Sequence, residues 1–299
     1  MNGCRRIVLA LPAVLAVACS SVVAPYRQYE IRFDAPAMPP LGTRPSDSEL
    51  IDSIAWLMRH RLDLPFPPDV KAYVFVNQAA FVDGLIKVAG EKADDVRDRA
   101  RFAFGVATGD GLFLRGDYLA RMNVAGRSSL VAHELTHVSQ SRLREGGRGR
   151  PAQWILEGHA EWVKFKVVEL LGYRAYAESR DIMMRAALGS TIKFFPDLPA
   201  LTSSAAWTEA TGRLGALATY GQAFLAVDWL VDQYGSAKLL EFLGRFALDT
   251  DPREHWRTVF PISYRQFVDE FRTRLEGLGR PTPPAGADSP AASPPSSSR

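Results

Sequence analysis

The stretch His133-Glu134-Leu135-Thr136-His137 constrains this chain more than any other part of its sequence. On an α-helix, residues four apart lie one above the other, so His133 and His137 would present both imidazole rings to one point. Glu134 would lie beside that point. Two neutral imidazoles and a carboxylate held near a water molecule are what metal-assisted hydrolysis requires. The same pattern also occurs by chance as two surface histidines, so other residues must decide between the two interpretations.

The flanks of this stretch predict that it is helical. Ser128 or Ser129 can cap the start of the helix, because serine hydroxyls accept from free backbone N–H groups there. Apolar side chains supply the body of the helix, and these are Leu130, Val131, Ala132, Leu135 and Val138.

A catalytic zinc site needs a third protein ligand and one open position. In the metzincin pattern this ligand is a histidine six residues after the second histidine, preceded by a glycine, but this chain has Leu143 and Gln140 at those positions. Glu157 lies twenty residues after His137, in a second helical stretch that Pro151 can open. We therefore predict Glu157 as the third ligand.

Small residues and a second acid surround Glu157. Gly158 and Ala160 are small enough to let a neighbouring helix approach. Glu161, one turn later, can reach the far nitrogen of a ligand histidine and fix its tautomer and ring orientation. His159 is the rival ligand, but two positions from Glu157 it points to the opposite side of the helix. The alternative interpretation makes Glu157 and Glu161 part of an ordinary solvated helix face.

Together, HELTH and the following WILEGHAEW resemble the gluzincin metallopeptidases, specifically the peptidase-MA-like group, whose second motif reads W-x-x-E-G-x-A-E/D. The resemblance extends from about Lys71 to about Leu275. It implies a zinc-dependent peptidase with an α+β, zincin-like fold. In such a fold, a small sheet precedes the HExxH helix and a helical C-terminal half closes the other wall of the cleft.

The resemblance also implies roles for individual residues. His133, His137 and Glu157 correspond to the ligands of one Zn²⁺ ion, and Glu134 corresponds to the general base. Glu161 stands where thermolysin-type members more often have Asp, one methylene shorter.

Tyr220-Gly221-Gln222-Ala223 is similar to a Y-x-x-A segment that peptidase-MA-like proteins often show at this distance after the glutamate motif. Some gluzincins use a tyrosine to stabilise the tetrahedral oxyanion opposite zinc, and by analogy Tyr220 is assigned that catalytic role. The alternative is a half-buried tyrosine that hydrogen-bonds the backbone.

A β-hairpin is predicted just before the first motif. Residues 101–107 and 112–115 are strand-like, and Thr108-Gly109-Asp110-Gly111 between them is typical of a hairpin turn. By the same resemblance, one of these strands forms the upper rim of the cleft, where its edge can pair with an extended peptide. The alternative is a hairpin with a structural role only.

The first residues have the features of a targeting segment. Arg5 and Arg6 precede an apolar run at residues 7–17 that is too short to span a membrane, so residues 1–18 are predicted to be a signal peptide. Ala16-Val17-Ala18-Cys19 contains an A-x-A cleavage site and also resembles a bacterial lipobox. We expect lipidation of Cys19, because this thiol has no other explanation. The alternative is a soluble periplasmic or secreted protein.

The remaining chain divides into three predicted parts. Residues 19–45 are proline-rich and are interpreted as a tether, and residues 280–299 as a disordered tail. Residues 46–279 form the predicted metallopeptidase domain, which Ser46-Asp47-Ser48-Glu49 opens as a capping box for a helix through His60.

Composition and charge limit the partners of this chain. Net charge is +3 with both signs well mixed, and the pI of about 8.9 does not argue for nucleic acid. The sequence therefore predicts a zinc peptidase of the bacterial cell envelope that acts on peptides or proteins, attached to a membrane through its N-terminus. A non-catalytic envelope lipoprotein, with the same fold used for binding or assembly, is the alternative.

Overall fold

A computed structural model describes residues 25–100, 103–147, 149–188, 198–248 and 251–278. It belongs to the predicted α+β class, with a small sheet and a mainly helical remainder. The predicted signal peptide, Cys19 and the predicted tail lie outside the described residues. Within these ranges, no helix combines the length and the apolar character needed to cross a membrane.

The sheet has four strands in the order β1-β2-β4-β3. They are β1 Tyr26–Glu30, β2 Lys71–Phe75, β3 Gly105–Ala107 and β4 Gly111–Arg115. Strands β1 and β2 are antiparallel, β2 and β4 are parallel, and β3 and β4 form an antiparallel hairpin. The predicted hairpin is therefore confirmed within the described residues, and it leaves β3 as an edge strand.

Strand β1 lies inside the segment that the sequence predicts to be a tether. Tyr26–Glu30 pairs with β2, and Ile31 and Phe33 beyond it are buried. The prolines do not prevent this pairing because Pro25 precedes the strand and the next proline, Pro36, follows it. This part of the segment is consequently folded onto the sheet.

Among the described residues, four helices precede the helix that carries the first motif. They are α1 Asp47–Arg61, α2 Gln78–Lys87, α3 Ala93–Arg99 and α4 Gly116–Leu119. The predicted capping box of α1 is confirmed, since Ser46 accepts from the backbone of Glu49 and the Glu49 side chain accepts from the backbone of Ser46.

The first motif lies on α5, Val124–Leu143, which begins earlier than predicted. Asn123 caps this helix through the backbone N–H of Gly126 at 2.8 Å. Ser128 and Ser129 are interior residues whose hydroxyls donate to carbonyls four residues earlier. The predicted serine cap was therefore wrong, because the helix begins further upstream, where the Asn123 side chain provides the cap.

The C-terminal half is helical, as the sequence predicts. It consists of α6 Gln153–Leu170, α7 Tyr176–Leu188, α8 Ser204–Leu214, α9 Ala216–Tyr234, α10 Ser236–Gly244, α11 Pro252–Val259 and α12 Tyr264–Leu278, with short 3-10 helices at Leu198–Leu201 and Arg245–Ala247. Gly235 ends α9 with a positive φ of 84°, which glycine adopts without strain.

The two faces of the sheet bury separate apolar clusters. The larger one joins α1, α5, α6, α9 and α12, and the smaller one joins α2 and α3 to β2, β3 and β4. Within the larger cluster, α6 crosses α9 closely at Gly158, where a Cβ atom would collide with the carbonyl group of Ala223. This contact agrees with the predicted close approach of a neighbouring helix at Gly158. It also fixes the orientation of α6 and hence of the face that carries Glu157.

Candidate metal centre

The side chains of His133, His137 and Glu157 meet between α5 and α6. The Nε2 atoms of His133 and His137 are 3.2 Å apart. Glu157 Oε2 lies 3.3 Å from the first of these atoms and 3.7 Å from the second. The three groups are close enough together to hold one metal ion.

The environment of Glu157 fits a bound cation. Its Oε1 atom accepts a hydrogen bond from Gln153 Nε2 at 2.6 Å. Its Oε2 atom is buried and has no hydrogen-bond partner among the described residues. An unsatisfied buried carboxylate oxygen is costly, and a cation between it and two imidazoles would compensate it. Two nitrogens and one carboxylate oxygen are a donor set that zinc accepts.

The pKa values of His133 and Glu157 indicate which proton a metal ion would replace. Burial lowers the pKa of His133, but the neighbouring carboxylates of Glu157 and Glu161 outweigh burial and raise the pKa to about 10. Burial raises the pKa of Glu157, whereas the positive charge of His137 and the contact with His133 lower it overall. The extra proton on the His133 imidazole therefore takes the role that a metal cation would have. Metal binding must release this proton.

Glu161 lies behind His133, where the sequence predicts it. Its Oε1 atom is 2.9 Å from His133 Nδ1, and its Oε2 atom accepts from Lys164 Nζ. Burial raises the pKa of Glu161, but the charge of Lys164 and the hydrogen bond with His133 lower it to about 2. An ionised Glu161 accepts from Nδ1–H, so loss of the second proton of His133, from Nε2, would leave a lone pair directed at the centre. Both Glu157 and Glu161 are buried, so the alternative of a solvated helix face is wrong.

Gln140 has the same relation to His137, and the sequence analysis missed it. Its Oε1 atom is 2.9 Å from His137 Nδ1, and its Nε2 atom donates to Leu156 O at 2.9 Å. The same Nε2 lies 3.2 Å from His159 Nδ1. The amide, held by Leu156 of the neighbouring helix α6, thus fixes the tautomer of His137. Its position three residues after a ligand histidine was the available signal.

His159 is not part of the metal-ligand group. It is fully buried, and burial, followed by the charge of His137, lowers its pKa to about 3. A neutral His159 accepts at Nδ1 from Gln140. The rival ligand of the sequence analysis therefore supports the network around His137 instead.

Glu134 lies under the edge strand β3. A Cβ atom at Gly105 would come within 2.7 Å of Glu134 Cγ and 3.1 Å of its Oε1 atom. Glycine at this position gives the carboxylate room between α5 and the strand. Glu134 is also near enough to His133 to raise the pKa of that imidazole.

Tyr220 lies on the other side of His133, near the beginning of α9. The two ring centroids are 6.0 Å apart, and the Trp207 ring meets Tyr220 edge-on at 4.9 Å. Burial, followed by the charge of Glu157, raises the pKa of the phenol well above its usual value. The hydroxyl therefore stays protonated and can act as a donor.

A scan against models of protein families, a search among curated proteins and a search among solved structures each found no match.

Proposed function

We propose that this protein is a zinc-dependent peptidase. The observation that carries the proposal is the buried Oε2 atom of Glu157, which lacks a hydrogen bond and lies beside two imidazole nitrogens. His133, His137 and Glu157 would hold the ion, and three protein ligands leave one position open, as in catalytic zinc sites. A structural zinc site would use a fourth protein ligand instead.

The residues around the centre suit peptide hydrolysis. A bound zinc ion supplies a Lewis acid for the scissile carbonyl and lowers the pKa of the attacking water. Glu134 takes the proton of that water and passes it to the nitrogen of the departing amine. Tyr220 donates a hydrogen bond to the carbonyl oxygen as negative charge develops there.

The edge strand β3 suits recognition of the substrate backbone. Its residue Gly105 lies directly against the proposed base Glu134. A peptide extended along the free edge of β3 would place its main chain next to that carboxylate. Recognition through the main chain accommodates many side-chain sequences, which suits the cleavage of unfolded proteins.

Purified protein should carry about one zinc ion per chain and cleave an unstructured protein. A chelator should stop this cleavage, and added zinc should restore it. Metal analysis and the release of new amino termini measure the two properties separately. Protein without metal would contradict the proposed centre, whereas one zinc per chain without any turnover would support the non-catalytic binding module.

Replacing Tyr220 by phenylalanine should lower kcat by about 10²–10³-fold, because only the hydroxyl donor is removed. Zinc content and melting temperature should stay close to those of the wild type. Tyr234→Phe, at the far end of the same helix, is the matched control. Unchanged kcat in Tyr220→Phe would exclude the catalytic role, and a joint loss of stability and activity would indicate a structural one.

We also propose that the protein is a lipoprotein of the bacterial cell envelope. The lipobox-like sequence that ends in Cys19 supports this location. Cys19→Ala should move the protein from the membrane fraction to the soluble fraction. Cys4→Ala should leave it in place, because Cys4 belongs to the segment expected to be cleaved. An unmodified Cys19 in the mass spectrum of the mature N-terminus would contradict lipidation.

A further inference from the structure

We propose that Gln153 is a positioning residue that makes Glu157 a one-oxygen metal ligand. The inference rests on the proposed metal centre and deepens it. The two carboxylate oxygens of Glu157 have different surroundings. Oε1 accepts from Gln153 Nε2 at 2.6 Å, whereas Oε2 faces the imidazoles without a hydrogen bond. A hydrogen-bonded Oε1 is turned away from the ion, and only Oε2 remains for it.

The orientation of the Gln153 amide is itself determined by its neighbours. Its Oε1 atom accepts from Arg150 Nη2 at 2.8 Å and from Ser204 Oγ at 3.1 Å. A rotated amide would present its NH₂ group to the guanidinium, which can only donate. The NH₂ group must therefore point to Glu157.

The backbone of Gln153 is held as firmly as its side chain. Its N–H donates to Thr202 O at 3.0 Å, and the residue is buried at the start of α6. Gln153 and Glu157 are four residues apart, so they lie on the same face of the helix. The amide thus reaches the metal ligand from a fixed point outside the centre.

One-oxygen binding has a chemical consequence. Three protein donor atoms leave a fourth position for the reacting water, whereas a carboxylate that binds through both oxygens occupies one more position. A methionine at position 153 has about the volume of glutamine but no donor. In Gln153→Met, Oε1 of Glu157 would lose its partner and turn toward the ion.

Cobalt(II) in place of zinc tests this directly, because four-coordinate cobalt absorbs visible light much more strongly than five- or six-coordinate cobalt. We expect strong absorption from the wild type and a clear loss of intensity in Gln153→Met, with cobalt still bound. With zinc, kcat of Gln153→Met should fall by about 10–100-fold. Metal affinity should fall by a smaller factor, since the ligand itself remains.

Two controls separate this role from general destabilisation. Gln266 donates to Glu270 at 2.8 Å across the same four-residue spacing on the exposed face of α12, so Gln266→Met should leave the spectrum unchanged. Thr208→Ala removes an exposed hydroxyl one turn further along α8 and should also keep the wild-type intensity.

Each outcome decides the proposal. An unchanged cobalt spectrum in Gln153→Met would overturn it while leaving the metal centre intact. If that variant does not fold, the wild type decides: strong absorption supports one-oxygen binding, and weak absorption overturns it. Wild-type protein that binds no cobalt and no zinc would overturn the proposed function as well.

Discussion

Glu134→Gln should lose almost all peptidase activity, with kcat lower by about 10²–10⁴-fold, and should still bind one zinc ion. The amide has the size of the carboxylate and fits the same space under Gly105. It cannot accept the proton of the attacking water, so only the chemical step is affected. Turnover of an unstructured protein and metal analysis of the same sample measure the two effects.

The matched control for this variant is Glu209→Gln, an exposed residue of α8. It changes the net charge by the same amount and should have wild-type activity. Full activity in Glu134→Gln would show that another group takes the proton and that the proposed mechanism is wrong. Loss of zinc in the same variant would make Glu134 a ligand instead of a base.

His137→Ala should reduce bound zinc from about one ion per chain to nearly none, and activity should disappear with it. Two remaining ligands hold zinc weakly, and Glu157 would lose the charge that lowers its pKa. Metal analysis after dialysis and a thermal melt measure the loss. We expect the variant to melt at a lower temperature than the zinc-loaded wild type, because it gains no stability from the ion.

His60→Ala is the control for His137→Ala, since His60 is exposed on α1 and is not a member of the ligand group. It should keep both zinc and activity. Stoichiometric zinc in His137→Ala would mean that the metal centre has been assigned to the wrong residues.

The ligand cluster could be predicted because its spacing is local. His133 and His137 are four apart on one helix, and Glu157 lies on the next helix, so the expected geometry needs only two helices packed side by side. The structure brings these three residues together. Helix α9 also has a local pattern in the sequence, because its apolar run ends at a glycine, Gly235.

The glutamines of the centre could not be predicted because their roles depend on packing. A glutamine three residues after a histidine is common on solvated helices. Only the approach of α6 brings Leu156 O and His159 to Gln140. The role of Gln153 depends in addition on the hydrogen bond that its side-chain oxygen accepts from Ser204, which belongs to α8.

Two further elements were missed for different reasons. Strand β1 pairs with a strand that follows it only after the whole of α1, so a short local pattern does not identify it. Helix α11 does have a local signal in the sequence, since Asp251 is its cap and Pro252 is its first residue.

The three candidate ligands come from the consecutive helices α5 and α6, which also carry Glu134 and Glu161, whereas Tyr220 comes from the more distant α9. Forming a contact between distant segments costs more chain entropy and is slower, so the α5–α6 pair should assemble first. Tyr220 arrives only when α9 docks on α6, after α7 and α8. On the proposed function, a half-folded molecule would capture its metal early, and the ion would stabilise the helix pair on which the rest assembles. It would not yet have the complete machinery to cut its neighbours.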